Sequence, residues 1–463
     1  MDHLPRSRVT KALTDAGLAK SFGEAEARLD AVHVCVVLGA AAAHTPAGQA
    51  AALTAVATAC KCFGRVTLVR GANPRLLLTF PLGETLSEAA AALGAQVEGR
   101  RPASATHTIA VGAEACDADV WQVDCWWDRW LAGIRSDNGQ PCGDSRLGLS
   151  GVFAAALAVR QVFAWVLRGP SFHPRDATVS LWAPWDGDQA QGPTRFTAPD
   201  NLWLVGLGHL GQAYVWNLLT LPFGQPGKVI LQDDQRLGVE NEPTSLLAVR
   251  PFEPIRKVRL AARWLDAAGW DTQLLERRNG GGERPVAEDP PFLLAGLDHV
   301  KPRRSLAGLG FDYMIDGGIG HGPGDFEGLQ VRVVPKGSDV DTLWGPPEPA
   351  KSRESVLAQD AYKALEQGEA GACGAYALAG ASVAVPFVGA ATGAIAVAQL
   401  VRLASGQPGG ALIQMSLGAP EMMIDGGRTL GPPDFLGGEH MDLAADDRSG
   451  SSRDHDIARR APS

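Results

Sequence analysis

Residues 204–220 read LVGLGHLGQAYVWNLLT, and this run admits few folds. An apolar, strand-like segment enters Gly206-Leu-Gly208-His-Leu-Gly211 and leaves on a helical pattern. Gly206 suits a tight turn, Gly208 lets backbone N–H groups approach a phosphate, and Gly211 lets the helix pack closely on the strand. A turn of this kind belongs at the carboxyl edge of a parallel sheet, so the chain reads as α/β with Rossmann-like units. Taken alone, the turn does not separate ATP from a dinucleotide.

The rest of the chain repeats the theme. AVHVCVVLGA (31–40) reads as a buried strand, TPAGQAAALTAVATACKCF as a helix capped by Thr45, and GRVTLVRG as a second strand. This β-α-β unit implies parallel strands. LLLTF (76–80) and THTIAVG (106–112) read as further strands, 148–169 as an apolar helix and VSLWAP (179–184) as another strand. The loop after the first strand, LGAAAAH, keeps Gly39 and lacks the later glycines of a phosphate loop. After WDGDQAQGPTRF the pattern restarts at NLWLVGLG and ends in apolar helices near 374–403.

Ala-Leu-Ala-Val-Arg-Gln-Val (156–162) and Ala-Ile-Ala-Val-Ala-Gln-Leu (394–400) agree at four of seven positions, which points to an internal duplication. The expected organisation is an N-terminal helical segment (1–30), an inactive Rossmann-like half (31–184), a linker (185–196), a nucleotide-binding half (197–430) and a disordered tail (431–463). The two halves would form a pseudo-dimer within one chain. The tail is called from its Pro, Gly, Asp, Ser and Arg content.

A formal net charge of −9 argues against nucleic acid or an anionic membrane as the main partner. The seven cysteines show no disulfide spacing, and the first residues lack a signal-type apolar core, which together point to a reducing, cytoplasmic setting. Residues 370–401 carry no charge and are long enough to span a bilayer. Their Gly/Ala content and Pro386 favour closely packed core helices instead.

Four residues stand in register with the turn. Asp233 closes the next strand, where an acid meets ribose hydroxyls. Asn241 follows eight residues later, Lys257 opens a helix, and Asp298 ends a buried strand in LLAGLD. A Lys and an Asn near a phosphate loop suit a triphosphate, and an Asp at a strand's carboxyl end suits Mg²⁺. Hydride transfer needs neither.

This pattern resembles the ubiquitin-activating enzyme superfamily, which includes the ThiF-, MoeB- and HesA-like adenylyltransferases for sulfur-carrier proteins. Gly206, Gly208, Gly211, Asp233, Asn241, Lys257 and Asp298 match it over about residues 200–410. The family's Arg three residues after the Asn is Thr244 here, and Arg250, Arg6 and Arg8 are candidate replacements. In the family a partner subunit supplies one Arg to the ATP site. The resemblance also places a catalytic thiol at Cys373, ahead of a Gly/Ala-rich helix. The Cys-x-x-Cys zinc pairs usual among sulfur-carrier adenylyltransferases are missing from this half. The single-chain arrangement is most like the activating enzymes of bacterial ubiquitin-like conjugation systems.

The resemblance therefore implies ATP and Mg²⁺ as cofactors, with a ubiquitin-like carrier protein and a conjugating enzyme as partners. It implies catalytic roles for Cys373, Asp298 and Lys257; a homodimer stays open. Competing readings are a sulfur-carrier or peptide adenylyltransferase without a lasting thioester, an NAD-dependent oxidoreductase, and a silenced scaffold. The Trp-rich DCWWDRW (124–130) reads as packing, Cys60 and Cys62 as core or surface thiols, and His209 as the occupant of a variable turn position.

Overall fold

The computed structural model describes residues 6–112, 120–136, 141–188, 190–250, 254–279, 285–286, 288–320, 322, 324–344, 353–368, 371–429, 431 and 437–443. Cys116 and most of the C-terminal tail lie outside the described residues.

The first half runs α1 (Ser7–Thr14), α2 (Phe22–Asp30), β1 (His33–Leu38), α3 (Pro46–Cys62), β2 (Arg65–Arg70), α4 (Leu86–Ala92), β3 (Gln96–Glu98), β4 (His107–Val111), β5 (Gln122–Asp128), β6 (Leu131–Arg135), α5 (Gly148–Arg168) and β7 (Ala177–Ser180). The second runs β8 (Arg195–Ala198), β9 (Asn201–Val205), α6 (His209–Leu218), β10 (Lys228–Gln232), α7 (Lys257–Ala267), β11 (Asp271–Leu275), β12 (Phe292–Ala295), α8 (Val300–Ala307), β13 (Tyr313–Ile319), β14 (Gly328–Pro335), α9 (Val340–Leu343), α10 (Arg353–Leu357), α11 (Asp360–Gln367), α12 (Gly371–Ala379), α13 (Pro386–Ala404), β15 (Leu412–Ser416), β16 (Ala419–Asp425) and β17 (Glu439–Asp442).

The two large sheets share one strand order. The first is β3-β2-β1-β4-β5-β6-β7 and the second β11-β10-β9-β12-β13-β14-β15-β16. In each, the first five strands of the order are parallel and the rest antiparallel. Both are therefore mixed α/β sheets with Rossmann-like parallel cores.

Glycines repeat as well. A Cβ on Gly48 of α3 would lie 2.1 Å from the Ala42 carbonyl oxygen, and one on Gly211 of α6 would lie 2.0 Å from that of Gly206. Gly151 of α5 meets the Ala47 carbonyl of α3 and Gly393 of α13 meets the Ala213 carbonyl of α6, at 2.0 and 2.8 Å from the same ideal Cβ. Each half thus packs its loop helix against a long apolar helix through a residue without a side chain.

The apolar helices α5 and α13 are long enough to cross a membrane, yet 89% and 94% of their apolar windows are buried inside the molecule. They pack on each other, with the Phe163 and Phe387 rings 5.5 Å apart. Buried Trp216 of α6 reaches across to α3, its Nε1 donating to Thr54 Oγ1 at 2.9 Å.

Three sequence expectations are corrected and one is borne out. LLLTF forms no strand: Leu78 and Phe80 are buried, and Phe80 packs on Trp216 at 4.3 Å. DCWWDRW packs as read, with Trp127 and Trp130 fully buried, and its first five residues lie in β5. The 370–401 stretch is not two buried helices, because α12 is largely exposed while α13 is core. The tail is ordered in part: β17 pairs antiparallel with β8, and the Glu439 carboxylate accepts from Gly224 N and Gln225 N.

Candidate nucleotide site

The glycine turn lies where β9 ends. Gly206 takes φ +82°, a conformation that disfavours side chains, and its N–H donates to the Gln232 carbonyl at 2.9 Å. Gly208 caps α6, and a Cβ there would meet nothing within 4 Å. The N-terminal amides of α6 therefore open onto space at the carboxyl edge of the sheet, which is where an anion is favoured.

Asp233 ties this turn to the next strand. Its Oδ2 accepts from Leu207 N at 2.6 Å and its Oδ1 from Gln235 N at 2.7 Å. Gln235 in turn receives Lys257, whose backbone N–H reaches the Gln235 carbonyl at 3.0 Å and whose Nζ reaches Oε1 at 2.6 Å. Asn241 is buried, and its Oδ1 accepts from Gly238 N at 2.9 Å. That bond leaves the amide NH₂ as the group to offer an anion.

Asp298 arrives from the other side of the turn. Gly296 N donates to the Val205 carbonyl at 2.8 Å, and a Cβ on Gly296 would strike the Gly206 carbonyl oxygen at 2.4 Å. Two residues on, the Asp298 side chain is 89% exposed. Arg303 fixes this corner. Its Nε and Nη2 donate to the Leu297 carbonyl at 2.9 and 2.5 Å, and its Nη1 faces Asp316 Oδ2 at 3.4 Å. Asp316 is fully buried, and burial raises its pKa despite Arg303 and Arg332 beside it.

The N-terminal helix separates the candidate arginines. Arg6 is held by Glu26, Asp30 and the Cys62 carbonyl. Arg250 forms a bidentate pair with Glu242 at 3.1 Å. Arg8 instead faces the site: burial lowers its pKa, while the carboxylates of Asp298 and Glu240 support its charge. Its charge also acts on His209, whose pKa falls to about 3 through burial and then the Arg8 charge. The His209 ring nitrogens are buried without partners and press on the first turn of α13, 2.2 Å from an ideal Cβ on Gly389. His209 is therefore a packing element between the glycine turn and α13. Neither its role nor that of Glu240 carries a local sequence signal.

Cys373 is the third residue of α12 and is exposed, alone in that class among the described cysteines. Burial pushes the Cys60 thiol to about 12 and that of Cys142 to about 11, and raises Cys62 and Cys125 as well, so these thiols stay protonated at neutral pH. The α10–α12 segment is joined to α1. Lys11 Nζ donates to Tyr362 OH and pairs with Asp15 at 2.8 Å, and Tyr362 OH donates to Asp15 Oδ1 at 2.8 Å. Further along, Arg8 Nε donates to the Ser382 carbonyl and Ala384 N to the Arg8 carbonyl, at 3.1 and 3.2 Å.

The structure thus brings Gly206, Gly208, Gly211, Asp233, Asn241, Lys257 and Asp298 to one rim of the second sheet and adds Arg8. Cys373 stands on a separate helical arm. Among the described residues no three His, Cys, Asp or Glu side chains cluster as a metal cage. A Mg²⁺ here would take Asp298 plus phosphate oxygens, a donor set usual for that ion.

Two family models match the chain, one in each half. Models described as the BilD N-terminal domain and the BilD C-terminal domain match residues 33–181 and 198–407. The chain is 31% identical over 414 residues to the bacterial E1-like protein BilD of Collimonas sp. (strain OK412), covering 87% of this chain and 89% of that protein. Among solved structures, E. coli MccB with ATP aligns at 11% identity and TM-score 0.35, over 50% of this chain and 65% of that one, just under two thirds of its length. E. coli tRNA N6-threonylcarbamoyladenosine dehydratase, TcdA, aligns at 14% identity and TM-score 0.29, over 44% of this chain and 84% of that one.

Proposed function

The chain belongs to the BilD family of bacterial E1-like proteins, and from that premise we propose that it is an ATP-dependent activating enzyme. It adenylates the C-terminal carboxylate of a ubiquitin-like protein, holds the acyl group as a thioester on Cys373 and passes it to a conjugating enzyme. The observation that carries this reading is the convergence of the glycine turn, Asp233, Lys257, Asp298 and Arg8 on one rim. The turn and α6 receive the phosphates, and Asp233 receives the ribose. Lys257, the Asn241 amide and Arg8 face phosphate charge as it develops, and Asp298 is the carboxylate for Mg²⁺. Bound there, the ion would neutralise phosphate charge.

In the first step a carboxylate oxygen of the carrier bonds to the α-phosphorus. The α–β anhydride bond breaks, and pyrophosphate leaves with its electron pair. In the second step the Cys373 thiolate attacks the acyl carbon and AMP departs. α12 must bring Cys373 to the adenylate for this.

We read the first half as a partner that binds no nucleotide. Where the second half has its open turn, the first has a 3₁₀ turn at Ala42–His44. The Ala42 Cβ there lies 2.7 Å from an ideal Cβ on Gly112, the position that follows β4 as Gly296 follows β12. The first half then completes a pseudo-dimer by lending Arg8 to the site.

The test combines ATP, candidate carrier proteins and a nonreducing gel with pyrophosphate exchange. Asp298→Ala should abolish both exchange and a thiol-labile adduct; Cys373→Ala should abolish the adduct alone. An adduct that survives in Cys373→Ala removes that residue from the mechanism. Exchange without any adduct, in the wild type too, selects adenylyl transfer to a carrier or peptide with no lasting thioester.

A further inference from the structure

A cation from the first half is buried inside a loop of the second. Lys61, next to last in α3, is 7% exposed. Its Nζ donates to the carbonyls of Glu242 and Ala248, both at 2.6 Å. An ammonium in an apolar interior is tolerated only when its donors are satisfied, so this loop is shaped around Lys61.

The loop runs from Gly238 to Arg250 and carries Asn241. The Asn241 carbonyl accepts from Thr244 N at 3.1 Å and Ser245 N at 2.8 Å. Leu247 N donates to Oε1 of Gln212 in α6 at 3.2 Å. Lys61 grips the chain at two points that flank buried, neutral Thr244, while Glu242 turns its carboxylate to Arg250. The backbone behind Asn241 is thus set by α3 on one side and by α6, the helix of the glycine turn, on the other.

We propose that Lys61 is a positioning residue for the nucleotide site, fixing the Asn241 loop from the other half of the molecule and supplying the buried positive charge beneath it. This rests on the ATP-binding reading above. It gives the first half a second contribution to the site besides Arg8.

The charge has a definite pH range. Burial lowers the Lys61 pKa to about 8. The titratable groups facing it are Glu242 and Arg250 of the loop and Cys60 and Cys62 of its own helix. Glu242 favours the ammonium and Arg250 opposes it. The charge is therefore present below about pH 8 and lost above it, in a window where the unfolded chain still binds the proton. Global stability gains from this group as pH rises from about 8, while its charge-assisted hold on the Asn241 loop, and with it ATP affinity, weakens. A residue that merely bolts the halves together would not couple the two in opposite directions.

The experiment compares wild type, Lys61→Met and Lys61→Gln, where Gln keeps a donor without the charge. Amide hydrogen exchange over 238–250 is read without ATP, and KM for ATP in pyrophosphate exchange is read from pH 7 to 9. The expected results are faster exchange in Lys61→Met, and a roughly five-fold rise in wild-type KM across that range. Both variants should start at the raised KM and show no step, with kcat changed less than KM. Unaltered loop exchange in folded Lys61→Met, or a wild-type pH step retained in Lys61→Gln, overturns the proposal. A wild-type protein with no ATP affinity would sink the adenylation reading, while the exchange arm would still decide whether Lys61 sets the loop.

Discussion

At the residue scale, two glycines of one motif make different demands. A Cβ on Gly211 would meet the Gly206 carbonyl oxygen at 2.0 Å, and a backbone atom cannot swing aside; a Cβ on Gly208 meets nothing within 4 Å. Gly211→Ala should therefore lower stability by about 1–3 kcal/mol, the usual cost of overpacking, and weaken ATP binding as the turn shifts. Gly208→Ala should leave the melting temperature within a degree or two and weaken ATP alone, by crowding the approach of a phosphate to the backbone. Thermal melts beside ATP titrations check the pair; equal losses of stability would show that Gly208 is also a packing glycine. The spacing of Gly206, Gly208, Gly211 and Asp233 was legible in the sequence because one strand-turn-helix unit and its neighbour encode it locally. Arg8 was one of several arginines with only position to recommend it, and Lys61 was unmarked. Both enter the second half from far upstream, and tertiary placement leaves no local spacing to read.

At the element scale, α1 joins two sites with eight residues. Its Arg8 faces Asp298 and Glu240, and one turn further Lys11 and Asp15 hold Tyr362 of α11. Phe22 of α2 adds an edge-on contact with the Tyr362 ring at 5.3 Å. The arm that carries Cys373 is thus tied to the helix that brings Arg8 toward the candidate nucleotide site. Tyr362→Phe keeps the ring contact and removes the hydroxyl, leaving Lys11 and Asp15 one partner short, which costs about 1–3 kcal/mol. Because Lys11 and Asp15 keep their ion pair while α10–α12 loses its hydroxyl tie to α1, the expected result is faster alkylation of Cys373 with pyrophosphate exchange nearly unchanged. Exchange falling in step with alkylation rising would mean that α1 itself has moved. Element assignment from the sequence succeeded where a long period was sustained, as in α5 and α13, and failed where apolar residues served another purpose. Leu78 and Phe80 alternate like a strand but are both buried in a loop, Phe80 against Trp216. The strand β5 was hidden because its tryptophans looked like an isolated cluster.

At the scale of the molecule, the two sheets enclose a common layer of α3, α5, α6 and α13, and one hydrophobic core runs through both halves. That layer also holds an ion pair spanning the halves. Arg160 of α5 is 2% exposed, and its Nε and Nη2 donate to Glu327 Oε1 and Oε2 at 2.9 and 2.7 Å. Glu327 lies just before β14 and its carbonyl accepts from Leu417 N at 3.0 Å, so the pair anchors the antiparallel side of the second sheet to a helix of the first half. Removing one partner of a buried pair strands the other charge, at about 3–5 kcal/mol, whereas replacing both partners by apolar groups is often neutral. Glu327→Ala should therefore be strongly destabilising, and Arg160→Met combined with Glu327→Leu should recover most of the loss. If the halves form one cooperative unit, as a shared core implies, denaturant unfolding of Glu327→Ala shifts a single transition with its slope unchanged. If they fold separately, the variant splits the curve and leaves the first half's transition in place. The second outcome would also undercut Lys61 as a fixed support for the Asn241 loop, since that support requires α3 to stay seated whenever the nucleotide site is formed.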